Sequence, residues 1–260
     1  MKLNDRRQGI MDVLAETGTA SVDDLSLRFG VSKMTIHRDL DELEGGGLLR
    51  KVRGGASIQS SARFESDFRY RQTLAADEKD RIAAAAAALI EPGQTVIIDD
   101  GSTAGRVAMH LTDQRPLTVI TNNLTAINAL TAAPGIQLIA LGGLYSSKFN
   151  GFFGILCEEA LRSLRADVAF LSSSAIHGVS AFHQDPEVVQ SKRLMLDAAE
   201  RGYLLVDHSK FGRSALHFLA ELSAFDAVMT GETPSADHRA ALDAADVHLH
   251  IVDSLREEGE

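Results

Sequence analysis

Three short stretches of helical periodicity open the chain. Apolar residues fall at 10, 13 and 14 within Arg6–Gly18, and a second stretch starts at the capping residue Ser21 and stops at Gly30. In the third, Ile36, Leu40 and Leu43 keep the i, i+4, i+7 spacing of one buried face, from the cap Ser32 to the glycines at 45–47. The period then shortens: Leu48–Ile58 reads as two strands turning at Gly54-Gly55. Three helices followed by a hairpin predict a winged helix-turn-helix. After Pro92, β-branched runs alternate with helical patterns at Thr95–Asp99, Leu117–Thr121, Ile136–Leu141, Asp167–Leu171, Tyr203–Asp207 and Asp226–Thr230. That alternation predicts an α/β domain with a mostly parallel sheet. Val247–Val252 is expected as an edge strand with His248 and His250 exposed on one face. Ahead of the sheet, Asp77–Ile90 carries six consecutive alanines, which favour a closely packed helix.

The expected organisation is a DNA-binding domain over 1–58, a linker over 59–76 whose onset is the Ser-rich stretch Ser57–Ser66, and an α/β ligand-sensing domain over 77–260. On the third helix, Ser32, Lys33, Thr35, His37 and Arg38 lie at its amino end or on the face away from the core. That is the end of a recognition helix that meets base edges and phosphates in the major groove. Arg28 and the hairpin residues Arg50, Lys51 and Arg53 extend the basic surface. Asp39 is unsuited to a phosphate and is expected to pair with Arg38 or Arg28.

Charge at first argues against a DNA partner, because the 260 residues carry a net −10. Residues 1–60, however, hold nine basic and nine acidic side chains, so the whole excess of acid lies beyond them. A neutral module with a local basic patch binds weakly alone and is expected to work in a homo-oligomer, a dimer or tetramer. Duplex DNA is preferred to RNA because residues 32–56 contain no Phe, Tyr or Trp on which single-stranded bases stack. The one cysteine, Cys157, excludes a disulfide framework and a cysteine-based zinc site, and it is expected as a buried free thiol. With a polar start and no apolar run of about eighteen residues, a cytoplasmic protein with no membrane partner is expected.

Nearly every predicted strand ends in small hydrogen-bonding residues. These are Asp99, Asp100, Gly101, Ser102 and Thr103; Thr121, Asn122 and Asn123; Gly142 and Gly143; Ser172, Ser173 and Ser174; and Asp207-His-Ser-Lys210. In open α/β sheets ligands bind outside the carboxyl ends of strands, so these segments are expected to converge on one crevice. Glycine admits close backbone approach, hydroxyls donate and Lys210 adds a cation, the chemistry of a phosphate cradle. The nearby His183, Gln184 and Asp185 are expected to contact an effector's hydroxyls, with Asp185 also capping a helix that begins at Pro186. No catalytic, metal or cofactor site is predicted: there is no Gly-x-x-x-x-Gly-Lys loop, and Gly101-Ser-Thr-Ala-Gly105 lacks a central nucleophilic serine.

Thr35-Ile-His-Arg-Asp-Leu40, Leu43-Glu44, Leu49-Arg50 and Arg53-Gly-Gly-Ala56 resemble the N-terminal signature of DeoR-family repressors, which usually carry Arg where this chain has His37. Lys79 with Ile82-Ala83, Asp99-x-Gly-Ser-Thr103, Thr121-Asn122, Gly142-Gly143, Gly151, Lys192 and Asp207-x-Ser-Lys-Phe211 extend the resemblance to the sensor domain of that family. The resemblance implies a fold similar to ribose-5-phosphate isomerase, an operator as DNA partner, a phosphorylated sugar or related metabolite as effector, and repression of a carbohydrate operon. It also raises an alternative, a sugar-phosphate isomerase. Such isomerases carry an acidic Asp-Gly-Ala-Asp-Glu segment because proton transfer between carbons needs a carboxylate base, and Ser172–Gly178 has none.

Overall fold

The computed structural model describes residues 3–45, 49–57, 68–113 and 115–252, which fall into two units, Met1–Leu74 and Ala75–Glu260. In the first, helix α1 (Leu3–Thr17) is followed by strand β1 (Thr19–Ser21), helices α2 (Val22–Phe29) and α3 (Lys33–Gly45), and strands β2 (Arg50–Val52) and β3 (Gly55–Ser57). Ile10, Leu14, Leu25, Ile36, Leu40 and Leu49 are fully buried between them. The hairpin turns at Arg53-Gly54, one residue earlier than the sequence pattern indicates, because Gly54 supplies the positive φ of 79° while Gly55 enters β3. Gly55 is needed there for another reason: a Cβ would lie 2.2 Å from the Ala20 carbonyl oxygen of β1. The antiparallel order β1-β3-β2 thus includes a strand too short to announce itself by alternation.

Asp39 lies on the buried face of α3, and its partners are neither Arg38 nor Arg28. Arg6 donates to it from Nε at 2.6 Å and from an η nitrogen at 3.2 Å, and Arg7 donates from Nε at 3.2 Å. Arg38 projects to solvent and cannot reach inward. Of the segment 59–76 expected as a linker, residues 59–67 lie outside the described ones, and Phe68–Thr73 forms helix α4 with Phe68 buried.

The second unit starts with α5 (Ala76–Ala87), β4 (Thr95–Ile98), α6 (Ala104–Val107) and a 3-10 turn over Ala108–Asp113. Then come β5 (Leu117–Thr121), α7 (Leu124–Leu130), β6 (Ile136–Ala140), β7 (Leu144–Ser146), β8 (Gly151–Phe153), α8 (Ile155–Arg162), β9 (Ala166–Leu171), β10 (Ala175–His177) and β11 (Ser180–His183). The unit continues through α9 (Pro186–Asp197), β12 (Ala199–Leu205), β13 (His217–Glu221), β14 (Ala227–Thr230), α10 (Ala236–Ala244) and β15 (Leu249–Ile251). Seven of these strands form one sheet in the order β15-β14-β12-β9-β4-β5-β6, every neighbouring pair parallel. Successive strand residues serve opposite cores: Ile97, Leu171, Leu204 and Val228 join one, and Val96, Ile98, Phe170, Leu205 and Met229 the other. Burial on both faces explains why these strands read as continuous apolar runs. The alanines of α5 that face the sheet, Ala83, Ala86 and Ala87, belong to the second core. β15 is the sheet's edge, with His248 and His250 exposed. The hairpin β7–β8 and the antiparallel sheet β10-β11-β13 are additions of strands three to five residues long. No described helix is long and apolar enough to cross a membrane.

The chain leaves β4 toward β5 and β6, then crosses back to add β9, β12, β14 and β15 on the other side. The switch point of the sheet therefore lies between the carboxyl ends of β4 and β9. At the flank, Glu78 of α5 ties down two further strand ends. Its Oε1 accepts from the backbone N–H groups of His208, at 2.9 Å, and Gly231, at 3.2 Å, and its Oε2 lies 2.6 Å from His208 Nδ1.

Two stability effects follow from these contacts. Asp39→Ala leaves the buried Arg6 without its counter-charge and is expected to lower the stability of the N-terminal unit by about 3 kcal/mol in urea melts. Burial opposes protonation of His208, but the hydrogen bond and charge of Glu78, with Glu232 and Asp207, outweigh it and raise its pKa. A raised histidine stabilises fully below its unfolded value of about 6.5 and loses that contribution as pH rises through the folded value. Melting temperature is therefore expected to fall from pH 6.5 upward more steeply in the native chain than in His208→Gln.

Candidate functional site

In the first unit, capping sets out the surface. The Ser21 hydroxyl accepts from Asp24 N at 3.0 Å to start α2, which ends at Gly30 with a φ of 64°. Ser32 Oγ accepts from Thr35 N at 3.2 Å and meets Thr35 Oγ1 at 3.0 Å, starting α3. With Ile36, Asp39, Leu40 and Leu43 buried, Lys33, His37 and Arg38 are left exposed and Thr35 half-buried. Of the nine residues singled out, Lys33 is held by Asp23 at 2.6 Å, and Lys51 by Asp41 at 2.5 Å. Lys51 N also donates to Glu44 Oε1 at 2.7 Å, which anchors the wing against α3. Among the described residues, Arg28, His37, Arg38, Arg50 and Arg53 are exposed and engage no counter-charge. These groups can take phosphates and base edges without first breaking an ion pair.

In the second unit, the switch point is organised by one buried lysine. Lys192 of α9 donates to Asp99 Oδ2 and to Ser172 Oγ at 3.1 Å and pairs with Asp100 Oδ1 at 2.9 Å, bridging the loops after β4 and β9. Asp99 also accepts from Gly101 N at 2.7 Å and Ser172 N at 2.6 Å. Burial lowers a lysine's pKa in general, but here Asp100 and Asp99 outweigh it and hold the Lys192 ammonium above its usual value. Burial, with Asp100 alongside, pushes Asp99 up despite Lys192. Gly101 is the residue that fits, since a Cβ would stand 1.9 Å from Ser172 Oγ.

The neighbouring loops are fixed as firmly. Thr121 Oγ1 donates to Ile98 O at 2.7 Å, and Asn123 caps α7 while its Nδ2 donates to Asp99 O at 3.1 Å. Asn122 Nδ2 donates to Phe152 O at 3.0 Å, fastening the β7–β8 hairpin across the strand ends. That hairpin leaves β6 through Gly142 and Gly143, and Gly143 (φ 133°) passes so near β8 that a Cβ would lie 2.2 Å from Phe153 O. Ser102 and Thr103 lead into α6 and are buried, and Ser174 N donates to Phe182 O at 3.1 Å.

A second buried charge group sits after β12. Asp207 lies 3.6 Å from Lys79 and 3.5 Å from Lys210, and accepts from Ser209. Burial opposes its ionisation, yet Lys210 and Lys79 keep its carboxyl below the ordinary range. His183 is buried with its ring 5.5 Å from Phe149, and Nδ1 accepts from Asp185 N at 3.2 Å. Asp185 is taken up by capping α9 through Glu187 N and Val188 N, whereas Gln184 is half-buried. Among the uncharged side chains on these loops, the buried atoms Asn122 Oδ1, Ser173 Oγ and Gln184 Oε1 have no hydrogen-bond partner among the described residues.

Lys192 and Lys79 escaped the residue-by-residue choice of site, although the signal was present. Each stands in register with a buried helix face, Lys192 with Val188 and Met195, and Lys79 with Ile82, Ala83 and Ala86. A lysine at such a position is retained only when a carboxylate awaits it inside. Glu78, His208 and Glu232 bring candidate metal-ligand atoms within 4.8 Å of one another, but the hydrogen bonds of Glu78 already account for that grouping. Burial pushes the Cys157 thiol up to about 11, so it is no nucleophile at neutral pH. In the Ser172–Gly178 region, His177 is exposed on β10 with no carboxylate in the segment. Open clefts of about 430 Å³ beside Pro116 and Ile136 and about 390 Å³ beside Arg165 and Glu200 lie at the amino ends of the strands, away from the switch point.

Residues 6–62 match the DeoR-like helix-turn-helix domain and residues 74–232 the DeoR C terminal sensor domain. The glycerol-3-phosphate regulon repressor of Escherichia coli K12 is 32% identical over 252 residues, covering 96% of this chain and 99% of that protein. The L-fucose operon activator of Haemophilus influenzae is 34% identical over 88% of this chain and 92% of its own length, and the regulator IolR of Bacillus subtilis 31% over 95% and 98%. Ribose 5-phosphate isomerase A of Methanocaldococcus jannaschii superposes on 52% of this chain and 54% of its own at a TM-score of 0.38 and 19% identity, a likeness that carries no inference about activity. With both of its units matched and full-length relatives above 30% identity, the chain belongs to the DeoR family of transcriptional regulators.

Proposed function

We propose that this regulator represses a carbohydrate catabolic operon from the cytoplasm, and that a phosphorylated sugar or related metabolite bound at the sheet's switch point weakens its hold on the operator. As a DeoR-family member it is a transcription regulator and not an enzyme. Repression is preferred to activation because repressors are prominent among the relatives, although an activator stands beside them.

The observation that carries the effector reading is the set of unpartnered buried atoms: Asn122 Oδ1 and Ser173 Oγ on the loops after β5 and β9, the two strands that flank β4, and Gln184 Oε1 just before α9, the helix that supplies Lys192. Buried polar atoms cost free energy unless bonded, and a ligand's hydroxyls offer the missing donors. The floor at Asp99, Asp100 and Lys192 sets two carboxyl groups against one ammonium, so it suits hydroxyl donors better than a phosphate. A phosphate finds its complement in the Ser102 and Thr103 hydroxyls and in the Lys210 ammonium. Such a ligand regulates only by binding the DNA-free and DNA-bound states with different affinity. Arg28, Ser32, Lys33, Thr35, His37, Arg38, Arg50, Lys51 and Arg53 form the DNA surface in this reading, and the neutral balance of residues 1–60 supports a homo-oligomer that engages repeated half-sites.

Full-length protein screened against sugar phosphates, polyol phosphates and their unphosphorylated counterparts is expected to show a melting shift that needs the phosphate. Ser102→Ala and Lys210→Ala are expected to lose the shift while retaining operator binding; an unchanged shift in both removes this crevice as the effector site. On a duplex selected by the full chain from a random pool, Arg38→Ala is expected to weaken binding about tenfold or more. Lys33→Ala, already engaged by Asp23, is expected to weaken it less. Equal affinity of native protein and Arg38→Ala in filter binding at fixed salt defeats the assignment of α3 as the reading helix.

A further inference from the structure

On α3, positions 34, 37, 38 and 41 fall on one stripe by the i, i+3, i+4, i+7 rule, turned away from the buried Ile36, Leu40 and Leu43. Asp41 at the far end is engaged by Lys51. Of the other first-turn residues, Lys33 is drawn to Asp23 and the Thr35 hydroxyl to Ser32. Next to His37 and Arg38, the stripe presents Met34, 66% exposed and packed into no described core. A single exposed apolar residue elsewhere on a surface needs no explanation. At the second position of a recognition helix it does, because the amino-terminal residues of that helix are the ones that reach base edges.

A methionine side chain has no donor and a feeble acceptor, so it cannot read the hydrogen-bonding pattern of the major groove. The one apolar group that the groove displays is the C5-methyl of thymine. We propose that Met34 is a specificity-determining residue that selects thymine at one position of the binding site by packing against that methyl group. Its flexible, polarizable side chain adapts to the methyl without fixing a single rotamer in the free protein. The assignment rests on α3 being the reading helix, which Arg38→Ala tests separately.

The experiment uses full-length protein and a duplex selected by it from a random pool. Each thymine is replaced in turn by deoxyuridine, which keeps every hydrogen-bonding group and removes only the methyl; symmetry-related thymines are replaced together. Loss of one buried methyl is expected to weaken the native protein about fourfold per site at one thymine position. Met34→Ala is expected to bind the thymine duplex more weakly than the native chain, and to bind the thymine and deoxyuridine duplexes alike at that position. Because Met34 is exposed, an unchanged melting temperature is expected for the variant. The proposal is overturned if no replacement affects the native protein, or if Met34→Ala loses the same factor as the native chain. When either result accompanies a weakened Arg38→Ala, α3 stands and only Met34 is misassigned. An unweakened Arg38→Ala removes the reading helix and the proposal with it.

Discussion

The second unit is organised around an ammonium group that has been taken out of water. Lys192 is 1% exposed, and the desolvation of a buried cation costs several kcal/mol unless anions and hydrogen-bond acceptors surround it. Asp99, Asp100 and Ser172 supply them from the loops after β4 and β9, while the lysine itself comes from α9. One group therefore ties together the two parallel strands between which the order of strand addition reverses. The packing nearby is dependent on it: Gly101 has no room for a side chain because Ser172 must approach Asp99, and Asn123 holds the backbone of the same loop from the other side.

The sequence revealed the fold where burial produces a repeating pattern. The five inner strands appear as apolar runs because both faces of the sheet are covered, the half-buried edge strands β6 and β15 were legible beside them, and the helices of the first unit are marked by Ser21, Ser32 and Gly30 at their ends. It was opaque where an element is short or its partner is distant. β1, β7, β8 and β10 are three residues each, fewer than alternation needs. The partner of Asp39 lies thirty-three residues away on α1, and no local spacing indicates Arg6.

The site was legible in a similar, partial way. Small polar residues at strand ends identified the loops, because the backbone geometry there requires them. What those residues do locally was hidden: Thr121, Asn123 and Asp99 are largely occupied by hydrogen bonds that build the loops, and Asp185 by a helix cap. The two lysines carry no mark of burial in themselves, since Lys stands at the surface of most proteins. Reading each against its helix face, with apolar residues three and four positions away, turns it from a surface residue into a buried partner in search of a carboxylate.

These two kinds of residue would divide the labour of the proposed effector site. Groups already satisfied within the protein fix the shape of its loops, so little ordering cost is left for a ligand to meet. Groups left unsatisfied, such as Asn122 Oδ1 and Gln184 Oε1, retain a free-energy cost in the unliganded protein that a complementary ligand removes. The same logic separates the cations of the first unit. Lys51 spends its charge positioning the wing, and Arg28, Arg38, Arg50 and Arg53 stand exposed with no counter-charge among the described residues. A neutral module with a few uncommitted cations has weak, salt-sensitive affinity for DNA. In the proposed mechanism, weak binding by one module lets a modest difference in ligand affinity between two states decide occupancy of the operator: a module that gripped DNA strongly by itself would need a far larger coupling energy to be released.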